Sequence, residues 1–252
     1  MLLEMNFRSK ELGQNTQVNV LLPSNDEKNQ KAPCKTLWLL HGLTDDYTAW
    51  CRYTSIERYA KKYNLAVIMP SADRSWYTNT AYGVNYFDYF AKELPSICRD
   101  TFPYLSTRRE DNIIAGLSMG GYGALKLALT LPEQYGTCIA LSGSLDVTRK
   151  GRPYKLNEWR SIFGFDIEDP SVLAGSEHDL FALASKLKDS GVDFPDIYMW
   201  CGLEDSLITV NREFDAHLSE LGVAHYFGES EGDHSWKWWD LHISNALARV
   251  LG

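Results

Sequence analysis

Between Asp111 and Leu131 the chain passes from a short apolar, β-branched run, Asn112 to Ala115, through Gly116-Leu-Ser-Met-Gly120 into Tyr122 to Leu131, a stretch of good helix formers with apolar residues at helical spacing. That order predicts a strand, a sharp turn and a helix, with Ser118 at the turn. A serine so placed sits on a strained backbone, and the flanking glycines let strand and helix approach closely. Its hydroxyl then projects above the sheet edge, where it is free to attack a carbonyl. Gly121 and Gly123, just beyond the motif, strengthen the reading.

The rest of the chain repeats the alternation. Leu2 to Ser9 and Thr16 to Leu22 are expected as two antiparallel edge strands, and Asn25 to Pro33 as a solvated loop. Thr36 to Leu40, Leu65 to Met69, Gly136 to Leu141, Asp196 to Cys201 and Ala224 to Phe227 are further predicted strands, the first two apolar throughout, as in strands buried on both faces of a parallel sheet. Helices are predicted over Trp50 to Tyr63, Val84 to Arg99, which Pro95 should kink or interrupt, Asp179 to Ser190, Ser206 to Leu221 and Trp236 to Leu251. The expected class is therefore α/β, a mostly parallel sheet with helices on both faces, folded as one domain over 1–252. Residues 144–177, after the sixth strand, break the pattern with Gly, Pro, charge and the isolated aromatics Tyr154, Trp159, Phe163 and Phe165, and are read as an insert that either caps the site or forms an interface.

A net charge of −8 argues against nucleic acid or an anionic membrane surface as partner, because both select an excess of Lys and Arg. The amino terminus lacks the order of a signal peptide, and no apolar run approaches the roughly 18 residues of a spanning helix, so a cytoplasmic location is expected. The five cysteines, Cys34, Cys51, Cys98, Cys138 and Cys201, are scattered with no Cys-x-x-Cys pair, which predicts buried free thiols and no metal site.

A serine hydroxyl becomes a nucleophile only with a histidine to take its proton and a carboxylate to orient that histidine. When the serine sits on a strand-turn-helix elbow, the acid and then the histidine follow it in the chain, on loops past the carboxyl ends of later strands. Asp205 and His234, in Gly202-Leu-Glu-Asp205 and Gly232-Asp-His-Ser-Trp236, occupy such loops, with Glu204 and Asp233 as competing carboxylates. His178, His217, His225 and His242 fall within or beside predicted helices or a strand, and His41 precedes the serine, where it would support the loop after the third strand. The developing oxyanion needs two preorganised amides, and Leu43 and Met119 stand at the places that supply them. Trp50, Trp76, Tyr77, Tyr82 and Trp236 are the expected walls of a pocket for a small ester.

Leu40-His-Gly-Leu-Thr44 with Trp50, Gly116 to Leu125, Cys201-Gly-Leu-Glu-Asp205 and Gly232 to Trp236 with Trp239 together resemble the esterase D-like branch of the α/β-hydrolases. The loop Asp73-Arg-Ser-Trp-Tyr-Thr78 looks more like the tributyrin esterase group within it. The resemblance implies an α/β-hydrolase fold and a serine esterase of short acyl groups, acetyl to butyryl, with Ser118, His234 and Asp205 as triad, Leu43 and Met119 as oxyanion donors, and no metal or organic cofactor. Homo-oligomers are common in the group. Relatives in the wider branch hydrolyse S-formylglutathione or carbohydrate acetyl and feruloyl esters, which keeps both substrates open, and a non-catalytic binding protein on the same fold is the distant alternative.

Overall fold

Runs such as Thr36–Leu40, Ala66–Pro70 and Asn112–Leu117 have no polar face to turn to water, and every residue in them is buried. Such strands are stable only between two helical layers. The computed structural model, which describes residues 1–23, 33–149, 156–164 and 169–252, shows that arrangement. Its strands are β1 (Leu2–Arg8), β2 (Asn15–Leu21), β3 (Thr36–Leu40), β4 (Ala66–Pro70), β5 (Asn112–Leu117), β6 (Thr137–Leu141), β7 (Asp196–Gly202) and β8 (His225–Ser230), in one sheet of order β1-β2-β4-β3-β5-β6-β7-β8. β2 runs antiparallel to β1 and β4, and from β4 to β8 neighbouring strands are parallel. β1 alternates exposed and half-buried residues, as an edge strand must.

The helices are α1 (Ala49–Tyr53), α2 (Ile56–Tyr63), α3 (Tyr86–Asp88), α4 (Leu94–Thr101), α5 (Met119–Thr130), α6 (Leu156–Phe163), α7 (Leu180–Ser190), α8 (Ile208–Glu220) and α9 (Trp236–Leu251). Trp50, Ile56, Ile243 and Leu247 from α1, α2 and α9 close one face over Leu37 and Leu39, while Tyr122, Leu125, Leu180 and Phe214 from α5, α7 and α8 close the other with Trp38 and Leu40. The sheet is thus the α/β-hydrolase frame, with α5 packed in its centre.

Three predicted elements differ. The helix expected over Trp50 to Tyr63 is two helices, because Thr54 is extended and its hydroxyl donates to the Trp50 carbonyl, while Asp240 of α9 takes the Ser55 amide at 2.8 Å. The interruption expected at Pro95 takes the form of a widened turn and not of a break. The turn before it, Tyr89–Glu93, widens to a π-helix, which accommodates a ring that would clash with the carbonyl four residues back, so the chain stays helical from Tyr86 to Thr101. The helix after Gly116-x-Ser-x-Gly120 begins at Met119, immediately past the serine. Asn25 to Ala32 of the expected loop, and Tyr154 and Phe165 of the insert, lie outside the described residues.

Candidate active site

The site begins with a turn that a chain without glycine could not make. Ser118 links β5 to α5 at φ 52°, ψ −116°, a strained conformation for a residue bearing a Cβ. A Cβ on Gly116 would lie 2.2 Å from the Gly120 carbonyl oxygen, and one on Gly120 would lie 2.5 Å from the carbonyl oxygen of Leu40. The glycines therefore let α5 seat directly against the ends of β3 and β5, and the hydroxyl faces the sheet edge.

Two later strand ends bring their loops to the same place. His234, after β8, accepts the Ser118 hydroxyl at Nε2, 3.0 Å away, and donates from Nδ1 to Asp205 Oδ2 at 2.8 Å. That pairing fixes the tautomer, since a proton held on Nδ1 leaves a lone pair on Nε2. Asp205 is buried, whereas the His234 side chain keeps 35% of its surface exposed. Burial would raise the Asp205 carboxyl. Hydrogen bonds from His234, the Leu207 amide and Ser142, with the attraction of His234, outweigh it and hold the group below its ordinary value. The competing carboxylates stand elsewhere: Glu204 takes the Gly232 amide at 2.6 Å and ties the two loops together, and Asp233 accepts from Ser235.

His41 fixes the third side. Its Nε2 accepts the Ala72 amide at 2.8 Å, so the proton resides on Nδ1 and is donated to the Gly42 carbonyl at 2.7 Å. Burial holds this ring neutral, against the upward pull of the Gly42 carbonyl and of Asp45, Asp46 and Asp73. The Gly42 carbonyl and the Leu43 N–H are opposite ends of one trans peptide plane, so anchoring the carbonyl sets the direction of the amide. Tyr77 adds a bond from its hydroxyl to the His41 carbonyl at 2.9 Å. Met119 opens α5, where its N–H has no partner within the helix.

Leu43, Asp45, Leu117, Met119, Trp236 and Trp239 surround Ser118 and His234 in an open groove of about 460 Å3. Of the five aromatics expected as its walls, Trp236 alone lines it. Trp50 is buried behind, with Nε1 on the Leu40 carbonyl at 3.0 Å and its ring edge-on to Trp236 at 5.1 Å. Trp76 is fully buried among Tyr122, Trp159 and Phe163, and the Tyr77 ring lies where a Cβ on Gly123 would be, 2.3 Å away. Tyr82 is exposed at the tip of a turn. The loop turns sharply, with positive φ at Asp73, Trp76 and Tyr77, and packs on α5 through Trp76 against Tyr122 and Tyr77 against Gly123. The described part of the insert follows it: Trp159 and Ile162 of α6 are buried against the loop, and Glu158 holds Arg74.

Sequence reasoning missed Ser142, Asp45 and the role of Trp239 as a wall. Ser142, at φ 46°, accepts the Trp239 indole N–H at 3.1 Å and donates to Asp205. Trp239 in turn stands edge-on to His234 at 4.9 Å. Asp45 is half-buried in the groove, where burial raises its carboxyl despite His41, the Gly42 amide and the Trp236 indole. A lone serine after β6 carries no signal in a sequence, whereas Trp239, one helical turn after Trp236, belonged to a motif already noted. Among the described residues no group of three His, Cys, Asp or Glu is placed to hold a metal, and no helix is long and apolar enough to cross a membrane.

The Esterase family model matches residues 9–250. The acetyl esterase of Caldicellulosiruptor saccharolyticus is 36% identical over 98% of this chain and 96% of its own. Among solved structures, the fluorophosphonate-binding serine hydrolase FphF of Staphylococcus aureus superposes with a TM-score of 0.90 at 35% identity, covering 100% of this chain and 98% of that one. The S-formylglutathione hydrolase FrmB of the same organism gives 0.88 at 36%, covering 100% and 99%. Fold, serine elbow and these likenesses agree, and the chain belongs to the Esterase family of α/β-hydrolase fold, as a serine carboxylic-ester hydrolase.

Proposed function

We propose that the chain hydrolyses esters of short acyl groups, acetyl to butyryl, through an acyl-enzyme on Ser118. The observation that carries this is the continuous hydrogen-bond path from Ser118 through His234 to Asp205 beside an open groove. His234 takes the serine proton as Oγ attacks the ester carbonyl, then returns it to the departing alcohol, and in the second half activates water in the same way. Asp205 stabilises the imidazolium that forms. The amides of Leu43 and Met119 receive the oxyanion, and removing one such donor costs on the order of 3 kcal/mol in other enzymes.

Two features support a short acyl group and a neutral leaving group. The groove walls are indole rings backed by further packing, Trp236 by Trp50 and Tyr53 and Trp239 by its bond to Ser142, so they have little room to retreat. Among the described side chains lining the groove, Asp45 is charged and none is Lys or Arg, while Arg74 is engaged by Glu158 and Arg52 lies over the Tyr53 ring. An anionic thiol such as glutathione finds no countercharge among the described residues of the groove. Nitrophenyl esters of increasing chain length, assayed beside S-formylglutathione and acetylated sugars, test the reading. A fluorophosphonate should label Ser118. A strong preference for the thioester would replace the proposed substrate class, and no labelling would remove the mechanism.

A further inference from the structure

A second cavity lies along α5, away from Ser118. Lys126 is eight residues beyond Ser118, roughly 12 Å along the helix at 1.5 Å per residue, and lines a cavity of about 250 Å3 between α5, α7 and the loop after β4. Its side chain is buried, at 3% exposure. The ammonium donates to Thr78 Oγ1 at 2.8 Å and His178 Nδ1 at 3.1 Å, and the rings of Phe87 and Tyr122 stand 5.5 and 5.9 Å from Nζ. Both acceptors are neutral, because burial and then the Lys126 charge hold His178 down to about 3. Glu177 faces the other nitrogen of that histidine at 3.7 Å, and among the described residues no carboxylate forms an ion pair with Lys126.

An ammonium has three N–H donors, and two are met here by the protein. A buried cation without a countercharge is costly. Burial accordingly draws Lys126 down to about 7, while Glu177 pulls it upward. An anion in the cavity would take the third donor and supply the missing charge. The remaining walls decide which anion. Phe87, Ala182 and Leu183 are apolar, and Glu177 and the exposed Lys186, both at the lining, offset one another, which leaves the single buried charge of Lys126 to be matched. We propose that this cavity binds a short-chain monocarboxylate, its carboxylate on Lys126 Nζ and its alkyl chain against Phe87, Ala182 and Leu183. The choice of chain length rests on the acyl class proposed for the catalytic groove, since the acid released there is of this kind. The site itself rests only on the cavity.

Titration of sodium butyrate into the whole chain, labelled on alanine and leucine methyls, reads the two sites separately by NMR. Ala182 and Leu183 report the cavity, and Leu43 and Leu117 the catalytic groove. Saturable shifts of the first pair are expected, weakened about tenfold or more in Lys126→Met, the loss of one charge-assisted bond, with turnover of nitrophenyl butyrate unchanged. Should that variant fail to fold, Ala182→Leu fills the cavity while leaving the amine, and carries the same expectation. Shifts confined to Leu43 and Leu117, or cavity shifts that survive both variants, would overturn the proposal. Equal binding of inorganic phosphate would overturn the monocarboxylate class. Failure of esterase activity with intact cavity shifts would count against the catalytic reading alone.

Discussion

Ser118 holds φ 52°, ψ −116°, a conformation that costs of order 1 to 3 kcal/mol for any residue with a Cβ. Alanine keeps that cost and removes the proposed nucleophile, so Ser118→Ala should lower turnover by about three orders of magnitude or more with an unchanged denaturant midpoint. Glycine removes both the nucleophile and the strain. After the entropy that glycine adds to the unfolded chain, Ser118→Gly should be more stable than Ser118→Ala by about 1 kcal/mol. Equal midpoints would mean that the elbow is unstrained. The carboxylates separate in the same way. Asp205→Asn offers His234 an amide and should cost roughly four orders of magnitude in kcat. Glu204→Gln should mainly weaken the link to Gly232, and Asp233→Asn should do little. A larger rate defect in either competitor would reassign the orienting acid. Because the folded Asp205 carboxyl lies below the unfolded value of about 3.9, its bonds stabilise the protein fully above that pH and are lost as pH falls through the lower, folded value. Acid titrations of stability should therefore be flatter below about pH 4 in Asp205→Asn than in the parent.

The nucleophile strand and helix meet through contacts that only glycine permits, and there two effects of opposite sign compete. Gly→Ala within a helix normally stabilises by about 1 kcal/mol. At position 120 the added Cβ would lie 2.5 Å from the Leu40 oxygen and 2.6 Å from the His41 oxygen, both backbone atoms at the end of β3. Steric cost should win. Gly120→Ala is expected to destabilise by about 2 kcal/mol or more, read by urea unfolding, and a stabilised variant would show that α5 can lift off β3 without loss. The motif announced this element because its glycines, strand and helix are all local. Elements shaped by distant partners were harder to read. The break between α1 and α2 depends on Asp240, 185 residues beyond Ser55, and Pro95 signalled an irregularity without fixing that it would be a π turn. Ser142 holds Asp205 only because β6 and β7 are neighbours in the sheet.

At the scale of the whole molecule the parallel sheet was legible in continuous apolar runs, and the hydrogen-bonded trio Ser118, His234 and Asp205 was named from motif and chain order. Aromatic residues near those motifs could not be sorted into wall and core, since a tryptophan suits either place and the coiling of the loop after β4 decides. Trp76 and Trp236 now make opposite predictions. Trp76 is fully buried among rings, so Trp76→Ala should cost about 3 to 5 kcal/mol of stability and leave the acyl preference of the folded enzyme where it was. Trp236 lines the groove, so Trp236→Ala should move that preference. In the parent, each methylene that fits adds up to about 0.8 kcal/mol of transition-state binding, roughly fourfold in kcat/KM, until the chain meets a close-packed wall that costs 1 to 3 kcal/mol. A maximum between acetyl and butyryl and a clear fall by octanoyl follow. If Trp236 is the wall, its truncation should shift the maximum toward hexanoyl or longer while short esters lose little. A profile unmoved by Trp236→Ala would place the limit on the Leu117 and Met119 side of Ser118, and faster cleavage of decanoyl esters by the parent would mean that the rings yield to the substrate and that the short-chain reading is wrong.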